Sequence, residues 1–333
     1  MRAEIEAILP PPLRDFIQAI PPRLAYRVEE IRIRLGRPLE LVTSEEVRYV
    51  LPNGAVSKYY EAAYLPTASD CEKLLSLISN HSLYALEEEL RRGFVTVRGG
   101  HRVGLVGKAV VEGGRVKHLG AISGFNIRIA REVKGVAQHV LPFVVDEQGT
   151  CCNTLIISPP QCGKTTLLRD LARAFSYGNE QVRPQKVGIV DERSELAGSL
   201  DGQPQHDVGP RTDVLDACPK AEGMMMMIRS MSPDILVVDE IGRPEDAAAI
   251  DEAIHAGVQL ITTVHGRDIR DISRRTTLSR LLAQAVFTRF IVLSKSRGTG
   301  TVEGVYGSDG QVVNSGRIGQ TSNSGRREQV VPL

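Results

Sequence analysis

Aromatic residues are scarce in this sequence. Phenylalanine, tyrosine and tryptophan together make up 5% of the 333 residues, and tryptophan is absent. Few rings are therefore present to stack on the bases of a single-stranded nucleic acid. A net charge is lacking too, because 41 lysines and arginines are balanced by 40 aspartates and glutamates. A near-neutral chain has no global field that attracts nucleic acid, so both absences argue against that partner, although segments 23–37 and 91–102 are locally basic.

Long apolar runs are also lacking. No segment of the sequence is apolar and long enough to span a bilayer, and residues 1–12 lack the apolar core of a secretory signal. The five cysteines are odd in number and contain no CxxC pair, which argues against a disulfide framework and a zinc site. We therefore expect a cytoplasmic protein that associates with a membrane only peripherally, through a partner.

The length predicts two domains, each large enough to bury a core of its own. Hydrophobic residues make up 42% and charged residues 24% of the chain, as in ordinary globular proteins. From the order of the patterns we expect a smaller N-terminal α+β domain over residues 1–135. An α/β domain with a mostly parallel sheet follows over residues 136–308. Residues 309–333 are rich in glycine, serine and asparagine and are expected to form a flexible tail.

The first domain shows two helix patterns and several strand patterns. The apolar residues over Leu13–Ile20 indicate the first helix. Apolar and charged residues alternate over Val28–Leu35, which predicts a half-buried strand. The spacing of the apolar residues predicts a helix over Ser69–Asn80, with Ser69 and Glu72 as a capping box. Glycine pairs separate three β-like runs, which predicts an antiparallel meander over Phe94–Arg98, Arg102–Val111 and Arg115–Leu119.

The second domain shows buried strand patterns separated by segments of helix length, which is typical of a parallel sheet covered by helices. A closing hairpin is predicted at its end, where two further runs flank Gly298 and Gly300. The buried runs are Thr154–Ile157, Val187–Val190, Ile235–Val238 and Leu260–Val264, and those of the hairpin are Phe290–Leu293 and Val302–Tyr306.

A phosphate-binding loop is predicted between the first of these strands and the helix that follows. The loop ends in Gly-Lys-Thr, and the order of strand, loop and helix is the context that a P-loop requires. Its backbone N–H groups would surround phosphates at a helix N-terminus, and Lys164 would reach the β- and γ-phosphates of ATP. Thr165 would bind Mg²⁺ through its hydroxyl. Ser158 stands where the usual pattern has its first glycine, and the predicted nucleotide-binding residues are Ser158, Pro159, Pro160, Gln161, Cys162, Gly163, Lys164, Thr165 and Thr166.

Two acidic residues follow the buried strand Ile235–Val238, as in a Walker B motif. Asp239 would hold Mg²⁺ through its water shell. Glu240 would orient or deprotonate the water that attacks the γ-phosphate. The alternative is a buried strand that simply ends in solvated acids.

Two further strand ends carry candidate catalytic residues. Glu192 follows Val187–Val190 and would assist Mg²⁺ or the attacking water, or else the acids there cap the next helix. His265 follows Leu260–Val264 and would sense the γ-phosphate, or else it is a structural histidine.

Five methionines, Met224–Met227 and Met231, form an apolar cluster, for which we favour core packing over a partner surface. Arg211, Arg229 and Arg243 are candidates for a finger that acts across a subunit interface, and surface ion pairs are the competing interpretation for each.

The segment Met227–Asp246 resembles the Walker B region of type II and type IV secretion ATPases. Thr262–Gly266 resembles the histidine box of that family, and Asp191–Glu195 resembles its acidic box. The resemblance implies a RecA-like P-loop ATPase domain that uses ATP and Mg²⁺ and assembles into a hexameric ring serving membrane machinery. Asp239 departs from that family, which usually carries glycine at this position, so metal handling here resembles that of other RecA-like ATPases.

A second resemblance, to the AA family of stage III sporulation proteins, covers both domains. Its blocks are Phe94–Val106, Gly124–Glu132 and Arg211–Met226. It implies an ATPase on the mother-cell side of the channel that joins mother cell and forespore, with membrane proteins of that channel as partners. Two rivals stay open at this point, a RecA-like nucleic-acid motor and a scaffold that binds nucleotide without turnover.

Overall fold

The computed structural model describes residues 3–79 and 87–313, and most of the predicted tail lies outside these ranges. The chain divides into two compact units, Met1–Arg131 and Glu132–Leu333. The described start of the predicted tail folds back on the second unit, because the N–H of Val313 donates to the carbonyl of Val305 at 2.8 Å. Every helix in the described ranges is too short or too polar to cross a bilayer.

The first unit is built on a seven-stranded sheet in which every neighbouring pair is antiparallel. The order of its strands is β4-β3-β2-β1-β7-β6-β5, so the predicted meander is confirmed as β5, β6 and β7, with the third strand longer than expected. The elements are α1 (Ala3–Ile8), α2 (Leu13–Gln18), α3 (Pro22–Arg27), β1 (Val28–Arg34), β2 (Glu40–Thr43), β3 (Val47–Val50), β4 (Val56–Ser57), α4 (Ala68–Ile78), α5 (Glu87–Arg92), β5 (Phe94–Val97), β6 (His101–Glu112) and β7 (Arg115–Arg128).

Helix α4 is present where the sequence predicts a helix, but the predicted cap at Ser69 is wrong. The N-cap is Thr67, whose hydroxyl accepts the N–H of Asp70, and Asp70 accepts the N–H of Thr67 in return. Both capping boxes have the same spacing, and the structure selects the one that places Asp70 inside, at 4% exposure, within reach of the Tyr64 hydroxyl.

The second unit contains a second seven-stranded sheet with the order β10-β9-β11-β12-β8-β13-β14. All neighbours are parallel except β13 and β14, which form the predicted hairpin. Its described elements begin with two 3₁₀ segments, Val136–His139 and Leu141–Phe143. The helices and strands are β8 (Thr154–Ser158), α6 (Lys164–Tyr177), β9 (Val187–Asp191), β10 (Thr212–Asp216), α7 (Lys220–Met231), β11 (Ile235–Val238), α8 (Pro244–His255), β12 (Gln259–His265), α9 (Ile269–Ser273), α10 (Thr276–Ala283), β13 (Arg289–Ser294) and β14 (Thr301–Gly307).

Helices cover both faces of this sheet, which explains why its central strands are buried throughout and read as continuous apolar runs. Along β8, Ile156 belongs to the core cluster that contains the apolar face of α6, whereas Leu155 and Ile157 belong to the cluster that contains α7 and α8. Met224 and Met227 lie in the second cluster, which confirms the core interpretation for these two methionines.

The parallel arrangement brings several strand ends to one edge of the sheet. His265 at the end of β12 is in register with Ser158 at the end of β8, and Val238 at the end of β11 is in register with Val190. The residues that follow these strands therefore share the edge at which open α/β sheets bind their ligands. Four of the predicted candidate segments begin there.

Candidate functional site

The loop between β8 and α6 has the backbone conformation of an anion cradle. Gly163 is the N-cap of α6 and has a left-handed φ of 84°, and Gln161 has a positive φ of 58°. In the described part of the chain no side chain caps this helix, so its first N–H groups face the loop without a side-chain acceptor. The positive end of the helix dipole adds to these donors, and the loop fits a phosphate group. Ser158 is fully buried, and its hydroxyl donates to the carbonyl of Pro159 at 2.8 Å.

Lys164 is the first residue of α6, and only 7% of its surface is exposed. Its Nζ lies 3.5 Å from the carbonyl oxygen of Pro159 and 3.0 Å from Nδ1 of His265. Burial lowers the pKa of this ammonium, and the nearby carboxylates of Asp239 and Glu240 oppose the shift without cancelling it. A polyanion in the loop would supply the compensating charge that the ammonium lacks.

Thr165 and Asp239 meet as the sequence predicts for a magnesium site. The hydroxyl of Thr165 donates to Oδ2 of Asp239 at 3.0 Å. The hydroxyl of Thr263 donates a short hydrogen bond to the other oxygen of the same carboxylate and accepts the N–H of Glu240 at 2.9 Å. Asp239 is thus oriented from two sides by hydroxyl groups.

This hydroxyl and carboxylate pair fits Mg²⁺ in a particular way. No group of three His, Cys, Asp or Glu side chains within residues 3–79 and 87–313 is placed to hold a metal ion alone. Mg²⁺ characteristically takes one or two protein oxygens and completes its shell with water and substrate phosphates. Thr165 and Asp239 beside the phosphate loop offer that number of ligands, so the residues present fit the ion.

Glu240 lies next to Asp239 and is held by two basic side chains. Its Oε2 lies 3.0 Å from Nη1 of Arg193, and its Oε1 lies 3.2 Å from Nε2 of His265. The backbone of Glu240 is left-handed, with a φ of 56°, a conformation that residues with a Cβ adopt at some cost. The side chain is about one-third exposed, so water reaches the carboxylate.

His265 connects Lys164 with Glu240. An ammonium can only donate hydrogen bonds, so Nδ1 of His265 must accept from Lys164. The ring proton then sits on Nε2 and points at Oε1 of Glu240. The imidazole therefore lies between the ammonium of Lys164 and the carboxylate of Glu240.

Glu192 is connected to the backbone of Glu240 through one lysine side chain. It forms an ion pair with Lys220 at 3.0 Å, and the ammonium of Lys220 also donates to the backbone carbonyl of Glu240 at 2.9 Å. Lys220, which begins α7, thus links the end of β9 with the end of β11. Glu192 reaches Glu240 through Lys220, and its predicted role at the metal or the water stays a prediction.

Asp191 shapes the loop that carries Glu192 and Arg193. It is 2% exposed and accepts three backbone N–H groups, from residues 195, 196 and 197, each at 2.9 Å. Burial raises the pKa of Asp191 to about 6, although the three hydrogen bonds pull it downwards. Arg169 of α6 donates to the carbonyls of Glu195 and Leu196 from the other side, which fixes this loop against the helix after the phosphate loop.

Three residues of this site escape sequence reasoning: Arg193, Lys220 and Thr263. Arg193 follows the acidic pair and Thr263 precedes His265, so both stand next to motifs that the sequence does reveal. Lys220 follows Pro219 and belongs to no motif. The parallel register of β9, β11 and β12 places Arg193 and Thr263 near Glu240 and Asp239, whereas Lys220 reaches the backbone of Glu240 from the start of α7.

The fold is that of the RecA-like secretion ATPases. The chain superposes on the X-ray structure of the Legionella pneumophila ATPase DotB with a TM-score of 0.53 and 14% identity, over 84% of this chain and 74% of that one. It also superposes on the pilus retraction motor PilT with bound ADP, with a TM-score of 0.53 and 13% identity, over 87% of this chain and 78% of that one.

The chain belongs to the family described as sporulation stage III, protein AA, which matches residues 1–313. It is 51% identical over 310 residues to Stage III sporulation protein AA of Bacillus subtilis (strain 168), which covers 93% of this chain and 96% of that relative. Both resemblances noted in the sequence are thereby confirmed, the sporulation family as the family of the chain and the secretion ATPases as its fold.

Proposed function

We propose that this protein is a motor that hydrolyses ATP to ADP and phosphate. The observation that carries the proposal is the 3.0 Å hydrogen bond between Thr165 and Asp239, beside the buried Lys164. It joins the start of α6 to the end of β11, so the phosphate-holding and acid-bearing motifs form one site. Two solvated acids at a strand end, the alternative interpretation, would not require Asp239 to bond to the phosphate loop.

In the proposed reaction the N–H groups at the start of α6 hold the β-phosphate, and Lys164 donates to the β- and γ-phosphate oxygens. Mg²⁺, held by Thr165 and Asp239, would neutralise charge on the phosphates. Glu240 accepts a proton from a water whose oxygen attacks the γ-phosphorus, while the bond to the bridging oxygen breaks and ADP takes up the bond electrons. Arg193 and His265 keep the carboxylate of Glu240 in place.

His265 suits the predicted role of a γ-phosphate sensor because it contacts both ends of the site. A γ-phosphate would compete with Nδ1 of His265 for the ammonium of Lys164, since a phosphate oxygen is the stronger acceptor. Once the imidazole is released from Lys164, the contact of His265 with Glu240 would change. Glu192 acts in this scheme by holding Lys220 against the backbone of Glu240.

The membership in a sporulation family and the fold of secretion ATPases support a cellular role. We propose that the protein assembles into a homo-oligomeric ring, a hexamer, and powers or assembles the channel between mother cell and forespore. It would act in the mother-cell cytoplasm and contact the membrane through membrane proteins of that channel. Nucleic acid is not its proposed partner.

The activity is tested by phosphate release from ATP and Mg²⁺ with the purified full chain. Lys164→Ala should abolish nucleotide binding or turnover, and Glu240→Gln should bind ATP and fail to hydrolyse it. Glu252→Gln, an exposed glutamate on α8, is the matched control and should keep wild-type turnover. Equal activity in all four proteins, or turnover that requires single-stranded DNA and falls steeply with salt, would contradict the proposal.

A further inference from the structure

The hairpin loop 295–300, between β13 and β14, lies beside the phosphate loop. Strand β13 is hydrogen-bonded to β8 in parallel, with Val292 opposite Ile157. Both strands therefore end at the same edge of the sheet, where β8 leads into the phosphate loop and β13 leads into the hairpin loop. No sequence motif marks the hairpin loop as part of a nucleotide site.

Two contacts join the loops directly. A Cβ built on Gly163 would lie 3.2 Å from the Cα of Gly300, which shows a close approach of the two backbones. Nζ of Lys295 lies 3.5 Å from the side-chain oxygen of Gln161. One end of the hairpin loop thus touches the N-cap of α6, and the other carries an ammonium to the residue with positive φ in the phosphate loop.

Hydrogen bonds within the hairpin give its loop a defined shape. Glu303 of β14 accepts from the hydroxyls of Ser294 and Ser296, and these bonds lower the pKa of its carboxyl. Thr301, which is fully buried, donates to the carbonyl of Gly298 at 2.8 Å and accepts the N–H of Arg297 at 3.3 Å. These bonds fix the turns of the loop that carries Lys295. The Lys295 side chain itself is exposed.

We propose that Lys295 is a second phosphate-binding cation of the nucleotide site and donates to a phosphate oxygen of bound ATP or ADP. This inference rests on the proposed function. The ammonium of Lys295 lies near the phosphate loop, where the neutral amide oxygen of Gln161 is its acceptor. An anionic phosphate oxygen bound in that loop would be a stronger acceptor. Lys164 would then bind the polyphosphate from inside the fold, and Lys295 from the solvent side.

The test is equilibrium binding of ATP and of ADP to the full chain, each with Mg²⁺. Lys295→Gln should weaken both affinities about tenfold, as expected for loss of one charge-assisted hydrogen bond, and should reduce their dependence on salt. Lys295→Arg should stay within about threefold of wild type, because it keeps the charge. Lys58→Gln, which removes an exposed lysine from the first unit, is the control for loss of charge in general.

The outcomes separate this inference from the proposed function. Tight binding by wild type with unchanged affinity in Lys295→Gln would overturn the role of Lys295 and leave the ATPase proposal standing. Equal weakening in Lys58→Gln would overturn it too, because the effect would then be one of net charge. Failure of the wild-type protein to bind either nucleotide would overturn the proposed function, and this inference with it. Equal melting temperatures of wild type and Lys295→Gln establish that the comparison is between folded proteins.

Discussion

Nζ of Lys164 lies 3.0 Å from Nδ1 of His265, and Nε2 of the same ring lies 3.2 Å from the carboxylate of Glu240. The lysine that would hold the γ-phosphate and the carboxylate that would activate water are thus separated by one imidazole. In the proposed function, a γ-phosphate that takes over the contact with Lys164 would also alter the contact of His265 with Glu240.

We predict that His265→Ala lowers the kcat for ATP about a hundredfold and changes KM by less than about threefold. The variant loses an orienting contact to Glu240, whereas the phosphate-holding N–H groups and Lys164 remain. Steady-state phosphate release measures both constants. His255→Ala, which removes an exposed histidine from α8, is the control and should leave both unchanged. A purely structural role for His265 would instead lower the melting temperature and leave kcat per folded molecule intact.

Arg193→Ala is expected to lower kcat about tenfold with little change in melting temperature. The side chain of Arg193 is 61% exposed, and exposed ion pairs stabilise folds by only about 0–1 kcal/mol, so the effect falls on the orientation of Glu240. Arg193→Lys should recover part of the loss. The idea fails if kcat is unchanged, or if the loss of activity merely follows a loss of folded protein.

The acids of this candidate site can be picked out of the sequence because each lies at the end of an apolar strand. It does not predict Arg193, Lys220 or Lys295, because their roles arise from register and from loop contacts between segments that are distant in the chain. Strand β10 is missed for a related reason. It lies at the edge of the sheet and carries two aspartates among half-exposed residues, so it lacks the apolar run of a central strand.

The error at the start of α4 has a different cause. Thr67 with Asp70 and Ser69 with Glu72 satisfy the same local pattern, and local spacing does not rank them. Asp70 is selected because the hydroxyl of Tyr64 bonds to it at 2.7 Å, a contact that depends on how the chain before the helix packs. Local sequence patterns do not contain such tertiary contacts, so they could not identify Thr67 as the cap.

Thr263→Val should reduce kcat at least tenfold, because Asp239 loses a hydrogen-bond donor and the N–H of Glu240 loses its acceptor. Thr262→Val is a closely matched control. Thr262 is equally buried, and its hydroxyl donates to the carbonyl of Val238 at 2.7 Å, away from both carboxylates. Both variants should lose about 1–3 kcal/mol of stability, measured by denaturant unfolding, but only Thr263→Val should lose turnover. Equal turnover in the two would contradict a role of Thr263 in the site.

Asp191 predicts a specific dependence of stability on pH. Its pKa is raised from 3.8 to about 6 in the folded state, so folding favours the protonated form. The contribution of Asp191 to the free energy of unfolding is therefore greatest at acid pH. It falls by up to about 3 kcal/mol as pH rises from about 4 to about 6. Asp191→Asn cannot titrate, so its free energy of unfolding should change less than that of wild type over this range. Asp213→Asn, at an exposed position of β10, should follow the wild-type curve; parallel curves for all three proteins would refute the assignment.

Asp70 predicts the opposite dependence in the first unit. Burial alone would raise the pKa of this carboxyl, but hydrogen bonds from the backbone and hydroxyl of Thr67 and from Tyr64 outweigh it, and the pKa is lowered. The stability from these bonds is present above the unfolded pKa of 3.8 and is lost as pH falls through the lower folded pKa. At neutral pH, Asp70→Ala should lower the free energy of unfolding by about 1–3 kcal/mol, because the acceptor for the backbone N–H of Thr67 and the partner of the Tyr64 hydroxyl are lost together, whereas the Thr67 hydroxyl still caps α4. Asp15→Asn, an exposed aspartate of α2, should change stability by less than about 0.5 kcal/mol. Denaturant unfolding at pH 7 and pH 3 measures the free energy of unfolding of all three proteins. If the difference between wild type and Asp70→Ala is as large at pH 3 as at pH 7, Asp70 stabilises the unit through packing and not through its charge.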